Sequence, residues 1–272
     1  MLPFAINHMT VPYLGYRDLF ALARSLGCVG VELRNDLDRP LFDGEDGATV
    51  SRAADEAGLR IVGLSQVYPF NSWSETIRGE VRALIGEAQA CGAETISLIP
   101  RNDGRGMADG ERQDNARHAL EAIRPMLEEA GLVALVEPLG FPRTSSLRDK
   151  AETLALIEDV GGGGVFRLVH DTFHHHLAGG GPLFPNRTGI VHVSGVTDRE
   201  LALEEIADAH RVLVDGRDRL GNAEQVAALL RGGYDGAISI ESFSPEVHAL
   251  RDPEPALRET IRHMEAAVAE AA

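Results

Sequence analysis

The chain carries LVALVEPLG at residues 132–140, FRLVHDTFHHH at 166–176, IVHVSG at 190–195 and AISIESF at 237–243. Each segment contains a short run rich in Val, Ile and Leu, a composition typical of buried parallel strands. The runs end at Glu137, Asp171, His192 and Glu241. In a (β/α)8 barrel, polar residues at the carboxyl ends of the strands face the active site. The four segments therefore predict barrel strands that place these side chains around one axis.

Two glutamates, one aspartate and one histidine form a ligand set that suits a divalent cation. Carboxylate oxygens with one imidazole fit Mn, Mg, Co or Zn, so the pattern predicts one such ion. Each residue taken alone has a simpler explanation. An acid after a strand is commonly solvated or caps the next helix, and His192, between two valines, could be a core histidine. Four consecutive predicted strands that end alike favour the metal site, because burying such groups unpaired is costly.

The rest of the chain continues the alternation of strands and helices. Four further strands are predicted before the opening segments, at 4–7, 29–33, 60–65 and 94–99. Helical spacing or a terminal glycine predicts helices at 16–26, 48–57, 74–91, 110–130, 150–160, 222–231 and from about 255 onward. Such alternation implies a parallel sheet. A doubly wound open sheet fits less well, because no GxGxxG follows the first strand.

The sequence therefore predicts an α/β fold, one (β/α)8 TIM-barrel domain over residues 1–272. The irregular, charged segment 197–220 is interpreted as a long loop of the barrel, and no domain boundary is visible. Two runs of glycine, at 161–164 and 179–181, are interpreted as a helix exit and a loop. Neither precedes a clear helix start, so neither is expected to bind phosphate.

Composition and charge restrict the functional class. The net charge is −16, from 42 acids and 26 bases, which disfavours nucleic acid as a partner because such partners need a basic surface. No run of about 18 apolar residues predicts a membrane span, and no signal peptide is recognisable. Cys28 and Cys91 form no CxxC, which favours a reduced, cytoplasmic location. Lys150 is the only lysine, which leaves almost no candidate for a Schiff-base mechanism.

The motifs EPLGFP, HDTFHHH, VHVSG and ISIES resemble those of the xylose-isomerase-like barrels of sugar isomerases and epimerases. Within that superfamily the chain is most similar to the 2-keto-myo-inositol isomerases, or inosose isomerases. The likeness extends from VELR at 31–34 to SPE at 244–246 and is strongest in the second half. It implies a metal-dependent enzyme in which Glu137, Asp171, His192 and Glu241 bind one divalent ion.

The resemblance also implies substrate contacts. His174, three residues after Asp171, matches a histidine that contacts substrate oxygens, and Arg211 matches an arginine on the loop after the seventh strand. DGRDRLGN at 215–222 departs from the common Gly-x-Gly pattern of that loop, so a substrate contact by Arg217 stays open. His175 and His176 are interpreted as spacers or supporting residues. Metal binding by the triplet itself is disfavoured, because adjacent side chains in a strand or loop point apart.

The chemistry implied by these residues is proton transfer next to a carbonyl group. Moving a carbonyl to the neighbouring carbon requires a base to remove a proton and an acid to return one. A divalent cation would stabilise the intermediate enediolate. Glu137 and Glu241 are the predicted catalytic residues, because the fifth and eighth strands would present them from two sides of the barrel mouth.

Several residues after other strands are weaker candidates. Glu32 and Arg34 either form a salt bridge at the barrel rim or line the substrate pocket. Trp73, with Phe70 beside it, either covers the apolar face of a sugar ring or anchors its loop. Four more residues end predicted strands or follow them directly, with a turn as the simpler explanation for the first two: Asn7, His8, Arg101 and Asn102.

Three functional classes follow from these observations. The favoured one is a metal-dependent isomerase or epimerase of a keto-polyol or ketose of the inosose type. A dehydratase of such a polyol and an AP-endonuclease-like phosphodiesterase are alternatives, the latter disfavoured by the charge of −16. The third class, a non-catalytic sugar-binding barrel, would not need paired glutamates. The expected partner is a small sugar or cyclitol, without nucleic acid or membrane, and a homo-oligomer is possible.

Overall fold

The computed structural model describes residues 1–108 and 110–271. Eight parallel strands form a closed barrel in which each strand pairs with its neighbours in chain order and β8 pairs with β1. The strands are β1 Phe4–Asn7, β2 Gly30–Arg34, β3 Arg60–Val67, β4 Thr95–Leu98, β5 Val133–Val136, β6 Phe166–Asp171, β7 Thr188–Val193 and β8 Ile238–Ile240. The predicted (β/α)8 barrel is confirmed.

Helices connect the strands and surround the barrel. They are α1 Tyr16–Ser25, α2 Gly47–Ala57, α3 Glu75–Cys91, α4 Glu111–Ala130, α5 Lys150–Asp159, α6 Thr172–Leu177, α7 Asn222–Arg231, α8 Pro245–His248 and α9 Glu254–Ala271. In residues 1–108 and 110–271, no helix combines the length and apolar character that crossing a membrane requires.

Local sequence explains where the longer helices begin and end. The side chain of Ser74 caps α3 by accepting a hydrogen bond from the backbone N–H of Ile77. Asp149 caps α5 in the same way, since both side chains satisfy an N–H group that the first helical turn leaves unpaired. Gly92 ends α3 with φ of 73°, a left-handed conformation that favours glycine.

Alternation along the strands determines which side chains reach the barrel mouth. Side chains two residues apart on a strand point to the same face. A compact set of buried apolar residues contains Ala5, Val62, Leu135, Val169, Ile190 and Ala237. Leu135, Val169 and Ile190 each lie two positions before a predicted metal ligand. Glu137, Asp171 and His192 therefore continue this apolar layer towards the carboxyl ends of the strands.

The segment DTFHHH differs from the expectation of a strand or loop. Residues Thr172–Leu177 form the short helix α6, and the Asp171 carboxylate accepts a hydrogen bond from the backbone N–H of His174 at its start. Six residues are too few to produce a recognisable helical repeat. The loop expected at 197–220 is present, with short 3-10 turns at Leu203–Glu205 and Asp208–His210.

Candidate active site

The four predicted metal ligands meet at the carboxyl ends of four adjacent strands. Glu137 follows β5, Asp171 ends β6, His192 lies near the end of β7 and Glu241 follows β8. One potential ligand atom from each residue lies within 4.8 Å of the others, and all four side chains are buried. The barrel therefore brings together a histidine and three carboxylates that are far apart in sequence.

The orientation of His192 shows that this cluster fits a metal ion. Its Nε2 atom lies 3.1 Å from Glu32 Oε1, so the Nε2–H group points away from the other three residues. Its Nδ1 atom faces Glu241 Oε2 at 3.2 Å and an oxygen of Glu137 and of Asp171 at 3.9 Å each. Among the described residues this buried Nδ1 has no hydrogen-bond partner. An imidazole nitrogen beside three carboxylates suits a divalent cation.

Glu32 supports this arrangement from outside the cluster. Its carboxylate is the acceptor for both His192 Nε2 and Asn7 Nδ2. A carboxylate behind a metal-binding histidine fixes the tautomer and the orientation of the ring. The sequence indicated that Glu32 pairs with Arg34 or lines the pocket. Neither holds for Glu32 in the described part of the chain, because the carboxylate is fully buried behind His192.

We expect Glu32→Gln to weaken metal binding by about 10- to 100-fold, the usual effect of losing such a support. A glutamine offers one oxygen where Asn7 and His192 need two acceptors, so one hydrogen bond is lost. Competition with a fluorescent chelator would measure the change. The control is Glu259→Gln, the same substitution at a side chain that is 73% exposed. Equal affinity of both variants would contradict the role of Glu32.

Glu241 is held by several donors. Its Oε1 accepts hydrogen bonds from Asn7 Nδ2 at 3.1 Å and Arg34 Nη1 at 2.8 Å, and its Oε2 accepts one from Arg211 Nη2 at 2.9 Å. Burial alone raises the pKa of Glu241, but His192, Arg211 and Arg34 outweigh burial and hold the pKa well below its usual value. Glu241 is therefore ionised in the metal-free protein.

Glu137 lies in the opposite electrostatic environment. Its Oε1 atom is 3.8 Å from His174 Nε2 and 3.9 Å from His192 Nδ1. Burial, followed by repulsion from Glu241, raises the pKa of Glu137 to about 8. In the metal-free protein the two glutamates thus differ in proton affinity although they share one site.

His174 presents an N–H group to the same site. Its Nδ1 accepts a hydrogen bond from the backbone N–H of Gly140 at 3.2 Å, so the proton lies on Nε2, on the side of Glu137. Burial lowers the pKa of His174, which keeps the ring neutral at pH 7. Gly140 allows this contact because a Cβ atom there would lie 2.3 Å from the carbonyl oxygen of His174.

Arg211 enters the site from the loop after β7. Its Nη2 lies 2.6 Å from Asp171 Oδ2 and 2.9 Å from Glu241 Oε2. The guanidinium lies between the rings of Phe173 and Phe243, at 4.8 and 4.5 Å from their centroids. The Arg211 side chain is 1% exposed, so the loop is fixed at this point.

The backbone of Arg211 is fastened to the segment after β8. Its carbonyl oxygen accepts hydrogen bonds from Ser242 Oγ at 2.8 Å, Phe243 N at 3.1 Å and Ser244 N at 2.9 Å. Three donors on one carbonyl join the loop 197–220 to the segment that follows Glu241. The position of Arg211 therefore depends on both segments.

A cavity of about 210 Å³ opens beside the cluster. This volume lies below the range of drug-sized ligand pockets and suits a small substrate. Polar side chains form one part of its wall: Asp36, Gln66, Tyr68, Asn102 and Asp208. Apolar side chains form another part: Ile99, Leu139, Phe141 and Phe243. Glu137, His174, Arg34, Arg211 and Glu241 complete the lining.

Some predicted contacts lie away from this cavity. Trp73 packs partly buried against the core, with the Arg78 guanidinium 5.8 Å from its ring, and Phe70 is fully buried. Both aromatics thus anchor their loop, the simpler of the two interpretations. The side chain of Arg217 is 75% exposed and pairs with Asp215, so the structure does not bring it to the cluster.

Three other residues at or after strand ends make contacts that the sequence did not indicate. Asn7, interpreted as a turn residue, is fully buried and bridges Glu32 and Glu241. Asn102 lines the cavity, whereas His8 is bonded to the Leu14 carbonyl oxygen. Five further residues of the cavity wall were not predicted from the sequence: Asp36, Gln66, Tyr68, Phe243 and Asp208. They lie shortly after predicted strands or, in the case of Asp208, in the long loop 197–220, and only this position in the chain could have indicated that they line the cavity.

Comparison with known proteins agrees with the fold. Residues 20–267 match the family model described as xylose isomerase-like TIM barrel. The chain is 31% identical to a xylose isomerase domain containing protein from Salmonella typhimurium LT2, with a TM-score of 0.89 and coverage of 98% of this chain and 97% of that one. None of the curated proteins matches the chain.

Two more distant structures share the fold. IolI protein, solved with a binding zinc atom, is 17% identical with a TM-score of 0.88, and 100% of this chain and 99% of that one are covered. D-allulose 3-epimerase from Methylomonas sp., solved with D-allulose, is 19% identical with a TM-score of 0.74, and the coverage is 97% and 96%. The match over residues 20–267 and the 31% identity place the chain in a family: it belongs to the xylose isomerase-like TIM barrels.

Proposed function

We propose that the protein is a divalent-metal-dependent isomerase or epimerase of an uncharged ketose or keto-polyol, with an inosose as the preferred candidate. The main support is one observation: two buried glutamates belong to a cluster of four side chains that fits one cation, beside a cavity of about 210 Å³. The zinc reported for IolI and the sugar reported for D-allulose 3-epimerase, both on this fold, agree with the proposal.

The protein's own groups account for the proton transfer. Glu241 takes the proton from the carbon next to the carbonyl group, and Glu137 returns a proton from another side of the cavity. In the reverse reaction the two glutamates exchange roles. His174 Nε2–H and the Arg211 guanidinium donate hydrogen bonds to substrate oxygens. A divalent cation held by Glu137, Asp171, His192 and Glu241 would supply electrostatic stabilisation of negative charge on those oxygens.

The charges in the cavity favour a neutral substrate. Arg34 pairs with Asp36 and Glu241, and Arg211 pairs with Asp171, Glu241 and Asp208. Both guanidinium groups therefore already face carboxylates. A phosphate or carboxylate group on the substrate would need a positive charge that is not already paired. This distribution disfavours sugar phosphates, hydroxypyruvate and the phosphodiester of an AP-endonuclease-like reaction.

Exchange with deuterated water tests the proposal directly. The metal-loaded protein would be incubated in D2O with inososes, ketohexoses and hydroxypyruvate, and the products analysed by NMR after removal of the metal. We expect deuterium on the carbon next to the carbonyl group, with a new keto isomer or epimer, for a neutral substrate only. Release of water with a diketone-type product would show a dehydratase instead. Ligand binding without exchange would show a sugar-binding barrel.

A further inference from the structure

The side chain of Asp218 connects the two ends of the loop 197–220. Its Oδ1 accepts hydrogen bonds from the backbone N–H groups of Val196 and Leu220, each at 3.2 Å. Its Oδ2 accepts hydrogen bonds from the backbone N–H and the side-chain amide of Asn222, at 3.2 and 3.0 Å. A carboxylate offers about four acceptor positions, so these donors occupy all of them. The residue before the loop and those at its end are therefore held by one carboxylate.

Asn222 extends this connection to the segment 194–196, which directly follows β7. Its amide nitrogen also donates a hydrogen bond to the carbonyl oxygen of Ser194, at 2.9 Å. The orientation of the amide group is settled, because the Ser194 carbonyl oxygen and Asp218 Oδ2 accept hydrogen bonds and have none to donate. The segment 194–196 is thus held at its first residue by Asn222 and at Val196 by Asp218 itself.

The hydroxyl group of Ser194 orients Arg211. Arg211 Nε donates a hydrogen bond to Ser194 Oγ at 2.9 Å, and both side chains are buried. Because the guanidinium group is planar and rigid, the direction of its Nε–H group also sets the directions of its other N–H groups. Nη2 then faces Asp171 Oδ2 and Glu241 Oε2, at 2.6 and 2.9 Å. A continuous series of hydrogen bonds therefore leads from Asp218 to the cluster.

We propose that Asp218 is a positioning residue for Arg211: it fixes the segment 194–196 and, through Ser194, the direction in which the guanidinium group reaches the substrate. This role rests on the proposed function, in which Arg211 donates hydrogen bonds to substrate oxygens. The cavity wall that the described residues form does not include Asp218, so its effect passes through other residues. A carboxylate suits this task, because charge-assisted hydrogen bonds are roughly twice as strong as neutral ones.

A second aspartate of the same stretch provides a matched control. Asp218 lies in DGRDRLGN at 215–222, the part of the loop that departs from the Gly-x-Gly pattern. Asp215, three positions earlier, is 39% exposed and accepts hydrogen bonds from the backbone and the side chain of Arg217. The two aspartates thus differ in what they hold, since one joins the ends of the loop and the other forms a pair at the surface.

Hydrogen exchange tests the fixation of the loop without any substrate. Asp218→Asn keeps the size of the side chain but presents an NH2 group to donors that need an acceptor. We expect the backbone N–H groups of Val196 and Asn222 to exchange at least about tenfold faster, because each loses a hydrogen bond to a charged group. The NMR signal of the Arg211 Nε–H group, identified by its loss in Arg211→Lys, should shift. Asp215→Asn should leave these signals unchanged, and unchanged signals in Asp218→Asn would overturn the proposal.

Kinetics of combined variants test whether Asp218 acts through Arg211. With a substrate that the wild type exchanges in D2O, we expect Asp218→Asn to lower kcat by roughly 10- to 100-fold, the effect of a slightly misplaced positioning group, and to change KM less. In a protein that already carries Ser194→Ala or Arg211→Lys, Asp218→Asn should cost little more, because the hydrogen bond that orients the guanidinium group is already lost.

Two outcomes separate this role from others. An equal loss from Asp218→Asn in all three backgrounds, the wild type, Ser194→Ala and Arg211→Lys, would show that the carboxylate only supports the fold, and would overturn the proposal. A wild-type protein that exchanges none of the inososes, ketohexoses or hydroxypyruvate would contradict the proposed function instead. The NMR signal of Arg211 would then still decide whether Asp218 orients its guanidinium group.

Discussion

Replacing Glu241 by glutamine is expected to reduce deuterium exchange next to the substrate carbonyl group by at least ~10²–10⁴, the usual contribution of general acid–base catalysis. Glutamine keeps the size of the side chain, and its amide oxygen can still face a metal ion. It cannot take a proton from carbon. Arg34 and Arg211 also lose a charged partner in this variant, which adds to the expected loss.

The measurement is NMR exchange in D2O at matched metal content, checked for each sample by elemental analysis. Glu259→Gln, on the surface of α9, is the matched control and should exchange like the wild type. Glu137→Gln should be equally slow if both glutamates take part in proton transfer. Rapid exchange by metal-loaded Glu241→Gln would remove Glu241 from the proposed role.

Removing the Asp171 side chain is expected to abolish stoichiometric metal binding and, with it, activity. Asp171 contributes one of three carboxylates within 4.8 Å of one another in the cluster. Its Oδ2 also pairs with Arg211 at 2.6 Å. Asp171→Ala would leave the buried guanidinium facing fewer negative charges and the metal site with one ligand fewer. We expect about one equivalent of divalent metal in the wild type after dialysis and none in the variant.

A second substitution separates metal binding from local folding. Asp171 also caps α6 by accepting the backbone N–H of His174 at 2.9 Å. The variant Asp171→Asn would keep this cap, since asparagine is as good as aspartate at the N-cap position, but would lack the charge. We therefore expect this variant to unfold at a higher temperature than Asp171→Ala, although below the wild type because Arg211 loses a charged partner, and still to lose metal. Full metal occupancy in Asp171→Ala would count against the site.

The strands were predictable because their apolar runs are short and each ends at a polar residue or a turn. β6 and α7 were predicted residue for residue, at Phe166–Asp171 and Asn222–Arg231. The metal cluster followed from the same pattern, because a parallel barrel brings all carboxyl ends of its strands to one face. The predicted ends of the strands were therefore sufficient to predict that Glu137 and Glu241 lie close together.

The roles of the supporting residues could not be predicted in this way. Asn7 ends β1 like an ordinary turn residue, and only closure of the barrel between β8 and β1 brings it to Glu241. Glu32 and Arg34 are two positions apart, yet one lies behind His192 and the other enters the cavity. Which hydrogen-bond partner each residue finds depends on distances across the barrel, and a single sequence contains no such distances.

The hydrogen bonds to the Arg211 carbonyl oxygen have a consequence for protein engineering. Grafting a loop from one scaffold to another assumes that loops are independent modules. Here residues 197–220 are fastened to Ser242, Phe243 and Ser244 through that single oxygen. A graft of 197–220 alone would carry the arginine but leave behind the segment that fixes it. A chimera should therefore exchange 197–220 and 242–244 together as one cassette.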